Sequence, residues 1–137
     1  MRFTICFSLL NLAVNAFQAS TQAHQVDITG EVLPEPLDLT LFKDGPGTRL
    51  LNVEHFQNTA PLVRLSVSDS GPGIPLEVLP KIFQAYFTTK DTRHGTGLGL
   101  NIVQRLVQEG GGALQVITKP GEGTTFNLFL PGTSLAR

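Results

Sequence analysis

The feature that most constrains this chain is a pair of glycine-bearing loops within residues 69–100. The first, Asp69-Ser70-Gly71-Pro72-Gly73, ends a run in which Val63, Leu65 and Val67 alternate with Arg64, Ser66 and Ser68. That period of two predicts a strand with one buried face. A carboxylate leaving such a strand, with glycines two and four residues on, is held rigidly where backbone can pass close to a ligand. The second loop, Gly95-Thr96-Gly97-Leu98-Gly99, opens a segment whose Leu98, Leu100, Ile102, Val103, Leu106 and Val107 recur as in an amphipathic helix. Glycines ahead of a helix leave its first N–H groups aimed at an anion such as phosphate. A Rossmann dinucleotide site fits poorly, because GTGLG follows a polar stretch rather than a strand.

The rest of the chain can be placed around these loops. Val26, Ile28 and Val32 alternate with polar residues and predict a strand over 25–32. Residues 33–61 carry Pro34, Pro36, Pro46 and Pro61 with a turn at Asp44 to Gly47, and read as an excursion inserted between strands. No metal-ligand spacing stands out among Glu31, Glu35, Asp38 and Asp44. Pro75 suits the first turn of a helix that would carry Leu76, Val78, Leu79, Ile82 and Phe83. Gly110 to Gly112 stops the later helix, and 113–131 reads as a hairpin turning at Lys119-Pro120-Gly121.

At 137 residues the chain suits one domain with a core of its own. Hydrophobic content of 41% with 15% charge argues against disorder. A net charge of −1 leaves no electrostatic footprint for nucleic acid or an anionic membrane. Cys6 stands alone, so no internal disulfide forms, and no apolar run reaches a membrane-spanning length. A soluble, cytoplasmic chain is the expectation.

The first twenty residues admit two readings. Arg2, an apolar run and an Ala-x-Ala-like end are those of a secretory signal peptide. Alternatively, Asn11 and Asn15, four residues apart, share one face of a helix whose apolar side is Leu9, Leu12, Ala13 and Ala16.

Taken together, DSGPGIP, KIFQAYFTTK and HGTGLGLNIV resemble the first glycine box, the phenylalanine box and the second glycine box of sensor histidine kinases. They stand in that family's order and at its spacing. SLLNLAVNAFQAS resembles its asparagine box, which favours the helix over the signal peptide, and Gly121 to Pro131 resembles its closing GxGTxFxxxLP. The resemblance implies the Bergerat ATP-binding fold shared with gyrase-type ATPases, Hsp90 chaperones and mismatch-repair ATPases. This is an α/β (α+β) two-layer sandwich, a mixed and mainly antiparallel sheet with helices on one face. Residues 1–137 would form one such domain, incomplete at its amino end.

Residue by residue, the resemblance implies an ATP site with Mg2+. Asp69 would accept from the exocyclic amine of adenine. Gly71 and Gly73 would let backbone approach the purine, and Thr124 would help bind it. Asn15 would ligate Mg2+ through its amide oxygen. Gly95, Thr96, Gly97, Leu98 and Gly99 would hold the phosphates, with Lys90 as a charge on the outer ones. Phe83 and Phe87 read as core aromatics, or in the family as the base of a lid. Asn11 stands where hydrolysing relatives carry a glutamate, and an amide is no base near neutral pH, so transfer to a histidine is implied. Gln18 departs from the family, which often places a basic residue there. His24, His55 and His94 lack the acidic neighbour of a phosphoacceptor, so the acceptor would lie on a dimerising hairpin absent from this chain, with a response regulator beyond it. The competing functional readings are a non-catalytic nucleotide-binding remnant and an anti-sigma-type serine switch kinase.

Overall fold

In the computed structural model, which describes residues 2–84 and 99–132, five strands form one sheet under two helices. In chain order these are α1 (Arg2–Phe17), β1 (Val26–Leu33), β2 (Thr48–Leu51), β3 (Leu62–Asp69), α2 (Gly99–Glu109), β4 (Ala113–Lys119) and β5 (Gly123–Pro131). Across the sheet the order is β1-β3-β5-β4-β2. All four pairings are antiparallel, so the parallel component of the expected mixed sheet does not occur among the described residues.

The alternation foreseen in β3 decides which face is covered. Val67 lies opposite Phe126 and Leu65 opposite Leu128 on β5, while Leu114 and Val116 of β4 continue the same rows. These side chains meet Leu12 and Ala16 of α1 and Val103 and Val107 of α2 in one core. Leu12, Val103, Leu114 and Val116 have no exposed surface. Both helix pairs are spaced by four residues, which stacks them on the inward face. The opposite face is polar at its centre, where Ser66, Asn127 and Gln115 bond side chain to side chain across β3, β5 and β4. At its margin Phe42 meets Phe129 edge to face, ring centroids 5.8 Å apart.

Two segments differ from what the sequence suggests. Residues 33–61, read as an excursion, supply β2, which pairs with β4 at the sheet's outer edge. Its four residues are too few to display a period, and edge pairing is a long-range contact. The helix expected after Pro75 is only a turn and a short 3-10 segment, Leu79–Lys81. Pro80 has no N–H to bond the carbonyl of Leu76, so the chain closes three-residue turns instead, with Lys81 N donating to Val78 O at 2.8 Å. Phe83 still reaches the core: it packs edge to face on Phe126 at 6.5 Å, and Asn101 of α2 donates to its carbonyl at 3.1 Å.

Candidate nucleotide site

Two groups of predicted residues lie at neighbouring places in the fold. The first is at the end of the central strands. The β3–β5 register sets Asp69 directly opposite Thr124, and the β4–β5 register sets Thr118 on the other side of Thr124. All three fall on the helix-covered face, in step with Val67, Phe126 and Val116. Asp69 Oδ1 accepts from the N–H of Gly71 at 2.9 Å, which locks the carboxylate over the first glycine loop. Among the described residues its second oxygen has no hydrogen-bond partner.

Close backbone approach at this end depends on two glycines. Gly73 has φ +77°, and a Cβ there would stand 2.6 Å from the carbonyl oxygen of Lys119. Gly123, at φ +132°, would place a Cβ 2.0 Å from the carbonyl oxygen of Asp69. A side chain on Gly123 would push β5 away from Asp69, and one on Gly73 would push the acid loop away from the end of β4. Sequence reasoning gave no role to Gly123, the second glycine of the closing motif, and passed over Thr118. Thr118 could have been found as a hydroxyl at the core-facing step of the Leu114, Val116 alternation, a position where an apolar residue is the norm.

The second group is carried by α1. Asn11 donates to the carbonyl of Phe7 at 3.0 Å, one turn back, which turns its amide oxygen toward the start of α2. That oxygen lies 3.2 Å, and the amide nitrogen of Asn15 3.9 Å, from where a Cβ on Gly99 would stand. Asn11, Asn15 and Gly99 therefore adjoin, with the amino end of α2 facing both amides. Among the described residues no group of three His, Cys, Asp or Glu side chains could hold a metal. The amides of Asn11 and Asn15 carry hard oxygens, a chemistry that fits Mg2+ completing its shell with phosphate and water, with the oxygen of Asn11 and the nitrogen of Asn15 standing nearest Gly99. Lys90, Gly95, Thr96, Gly97 and Leu98, like Phe87 and His94, lie outside the described residues.

The two groups are tied together through the carboxyl end of α1. Ala19 packs against Gly71, 3.3 Å from where a Cβ would stand. His24 bonds the carbonyl of Ala16 through Nε2 at 2.6 Å and that of Gln22 through Nδ1 at 3.0 Å. The next residue, Gln25, donates its N–H to Ser70 Oγ at 2.8 Å and accepts from the N–H of Ser70 at 2.9 Å. Ser70 is the neighbour of Asp69, so the asparagine helix and the acid loop are joined by an unbroken chain of bonds.

Two carbonyls on one ring can be satisfied together only by the imidazolium. The pKa of His24 is accordingly raised above its ordinary 6.5, first by the Gln22 carbonyl, then by that of Ala16, with the Asp69 carboxylate adding attraction. Because folding raises this pKa, the stabilisation is complete below the ordinary value and is lost as pH climbs through the folded one. Thermal melting from about pH 6 to about pH 8 should therefore show a steeper fall in midpoint for the native chain than for His24→Phe. Equal slopes would show that the clamp does not stabilise the fold.

Residues 5–134 match the family described as histidine kinase-, DNA gyrase B- and HSP90-like ATPase. Similar curated proteins include the sensor histidine kinase ZraS of Escherichia coli K12, 38% identical over 123 residues, covering 90% of this chain and 20% of the relative. The sensor kinase CckA of Brucella abortus is 37% identical over 123 residues, covering 89% of this chain and 12% of the relative. The chain thus spans a fifth or less of the length of these two relatives. Among solved structures, the nucleotide-free catalytic domain of histidine kinase ThkA superposes with a TM-score of 0.65 at 31% identity, covering 99% of this chain and 71% of that one. Full-length ShkA in complex with AMPPNP gives 0.63 at 31%, covering 93% of this chain and 21% of that one.

Proposed function

The chain belongs to the histidine kinase-, DNA gyrase B- and HSP90-like ATPase family, and on that premise we propose that it is the ATP-binding catalytic portion of a two-component sensor histidine kinase. It would pass the γ-phosphoryl of ATP to a histidine on a separate dimerising hairpin, and from there to a response regulator. The observation that carries this reading is the convergence of Asp69 and Thr124 at one sheet end with Asn11 and Asn15 against the start of α2.

In this reading the outward oxygen of Asp69 accepts from the adenine amine, a charge-assisted bond in a partly enclosed site. Gly71 and Gly73 seat the acid loop against Ala19 and the carbonyl of Lys119, which holds Asp69 beside the purine. Asn15 and the loop ending at Gly99 hold the triphosphate, with Lys90 adding positive charge. Mg2+, when bound through Asn15, supplies neutralisation of the phosphate oxygens. The chain's own contribution is positioning and electrostatics, since phosphoryl transfer asks for little covalent chemistry from the protein. Asn11, already bonded to Phe7, has no basic atom with which to activate water. Among the described residues no helix is long and apolar enough to cross a membrane.

The test has two arms. Titration with a fluorescent ATP analogue should saturate and be reversed by ADP. Phosphate release from ATP and Mg2+ should stay near background, because water lacks a base at Asn11. Robust turnover that disappears in Asn11→Ala would move the chain to the hydrolysing branch of its family.

A further inference from the structure

We propose that Thr118 is a positioning residue for the purine, acting through Thr124, an inference that rests on the adenine-site reading above. Asp69, Thr124 and Thr118 form a row across β3, β5 and β4. Thr118 is 3% exposed and Thr124 5%. A hydroxyl so deeply placed is costly unless its bonds are made, and Thr118 makes them. Its Oγ1 accepts from the N–H of Ile74 at 2.8 Å, lies 2.9 Å from Thr124 Oγ1, and lies 3.2 Å from the carbonyl oxygen of Gly123.

Proton counting gives this cluster its selectivity. Thr118 has one hydroxyl proton and two acceptors to choose from. When the proton goes to Gly123, Thr124 must donate to Thr118 and shows the purine only lone pairs. Thr124 is the nearer acceptor, 2.9 Å against 3.2 Å for the Gly123 carbonyl, which favours the state in which Thr118 donates to Thr124 and the proton of Thr124 turns outward to a ring acceptor. In neither state does the Thr124 hydroxyl rotate freely. Adenine offers an amine donor with a ring-nitrogen acceptor beside it, whereas hypoxanthine offers a carbonyl and an N–H. Thr118 thus governs the hydroxyl next to Asp69 and, through Ile74, anchors the loop that follows Gly73. Valine would match its shape while leaving Ile74 N–H unpaired and Thr124 loose.

ADP and IDP titrations of the 137-residue chain test this. Thr118→Val should lower the ADP-to-IDP affinity ratio about tenfold, and Thr118→Ser should keep it within about twofold. Loss of folded protein scales both affinities alike and leaves the ratio untouched, so a merely structural role would not move it. Should the valine variant not fold, Thr118→Cys, whose thiol hydrogen-bonds weakly, should show the same fall. An unchanged ratio in valine or cysteine, or a tenfold fall in serine, overturns the proposal. Asp69→Asn in the same titration separates the two levels. If it leaves ADP affinity intact, the adenine site itself is wrong and Thr118 falls with it. If it weakens ADP while Thr118→Val does nothing, only the role of Thr118 is lost.

Discussion

Asp69→Asn is expected to weaken ADP binding by about 1.5–3 kcal/mol, roughly 10- to 150-fold, the scale of a hydrogen bond to a charged group. The substitution is informative because it spares the local fold. The amide oxygen of asparagine can still accept from Gly71 N–H, the bond Asp69 makes at 2.9 Å. That choice forces the amide nitrogen into the place of the second carboxylate oxygen, where a donor would then meet the donor of the adenine amine. The alternative flip would leave Gly71 N–H facing an NH2 group. Either way one favourable contact becomes an opposed one, while the β3–β5 register that sets Asp69 opposite Thr124 needs no change. Isothermal titration beside thermal melting checks both parts. Unchanged affinity with an unchanged melt would remove Asp69 from the adenine site.

The second large effect is all or nothing. Incubated alone with labelled ATP and Mg2+, the chain should acquire no acid-labile phosphohistidine. Transfer needs an acceptor in line with the γ-phosphoryl at contact distance. His24 is held by the carbonyls of Ala16 and Gln22, and His55 sits in a 3-10 turn between β2 and β3. Neither has an acidic neighbour of the acceptor pattern. Adding a purified dimerising hairpin from a matching kinase should restore labelling, on the hairpin and not on this chain. The rescue should be lost in Asn15→Ala, which removes the amide that adjoins Gly99. Label on any histidine of the isolated chain would contradict this arrangement. Failure of rescue by an ATP-binding chain would instead favour the remnant or the serine switch kinase.

How far the sequence reached depended on the range of the contacts involved. Strands β3, β4 and β5 announce themselves by alternation, because a strand with one buried face repeats every two residues whatever lies above it; β1 alternates as well, yet it buries neither face, with Ile28 54% and Val32 68% exposed. Helix α1 is different. Its run looks equally like a signal peptide until the later glycine boxes are weighed, since Leu10 and Phe17 are as apolar as the buried Leu12 yet 62% and 63% exposed. β2 left no trace at all, and Pro80 quietly shortened a helix that Pro75 seemed to begin.

Asp69, Asn11, Asn15 and the glycine loops could be named from sequence because their patterns are local and resemble the family's boxes: an acid before two glycines, two amides a helical turn apart. The sequence alone also determined the helix-covered face of β3, through Val63, Leu65 and Val67. Only the tertiary structure decided that Thr124 sits between Asp69 and Thr118, that Gly123 must lack a side chain beside Asp69, and that His24 ties α1 to the acid loop. The first two of those facts rest on register between strands, across 55 residues from Asp69 to Thr124, whereas the His24 tie joins the end of α1 to the loop before β1. Register is set by the packing of whole faces, and a slip of β5 by one residue would turn Thr124 to the other side of the sheet from Asp69 and Thr118.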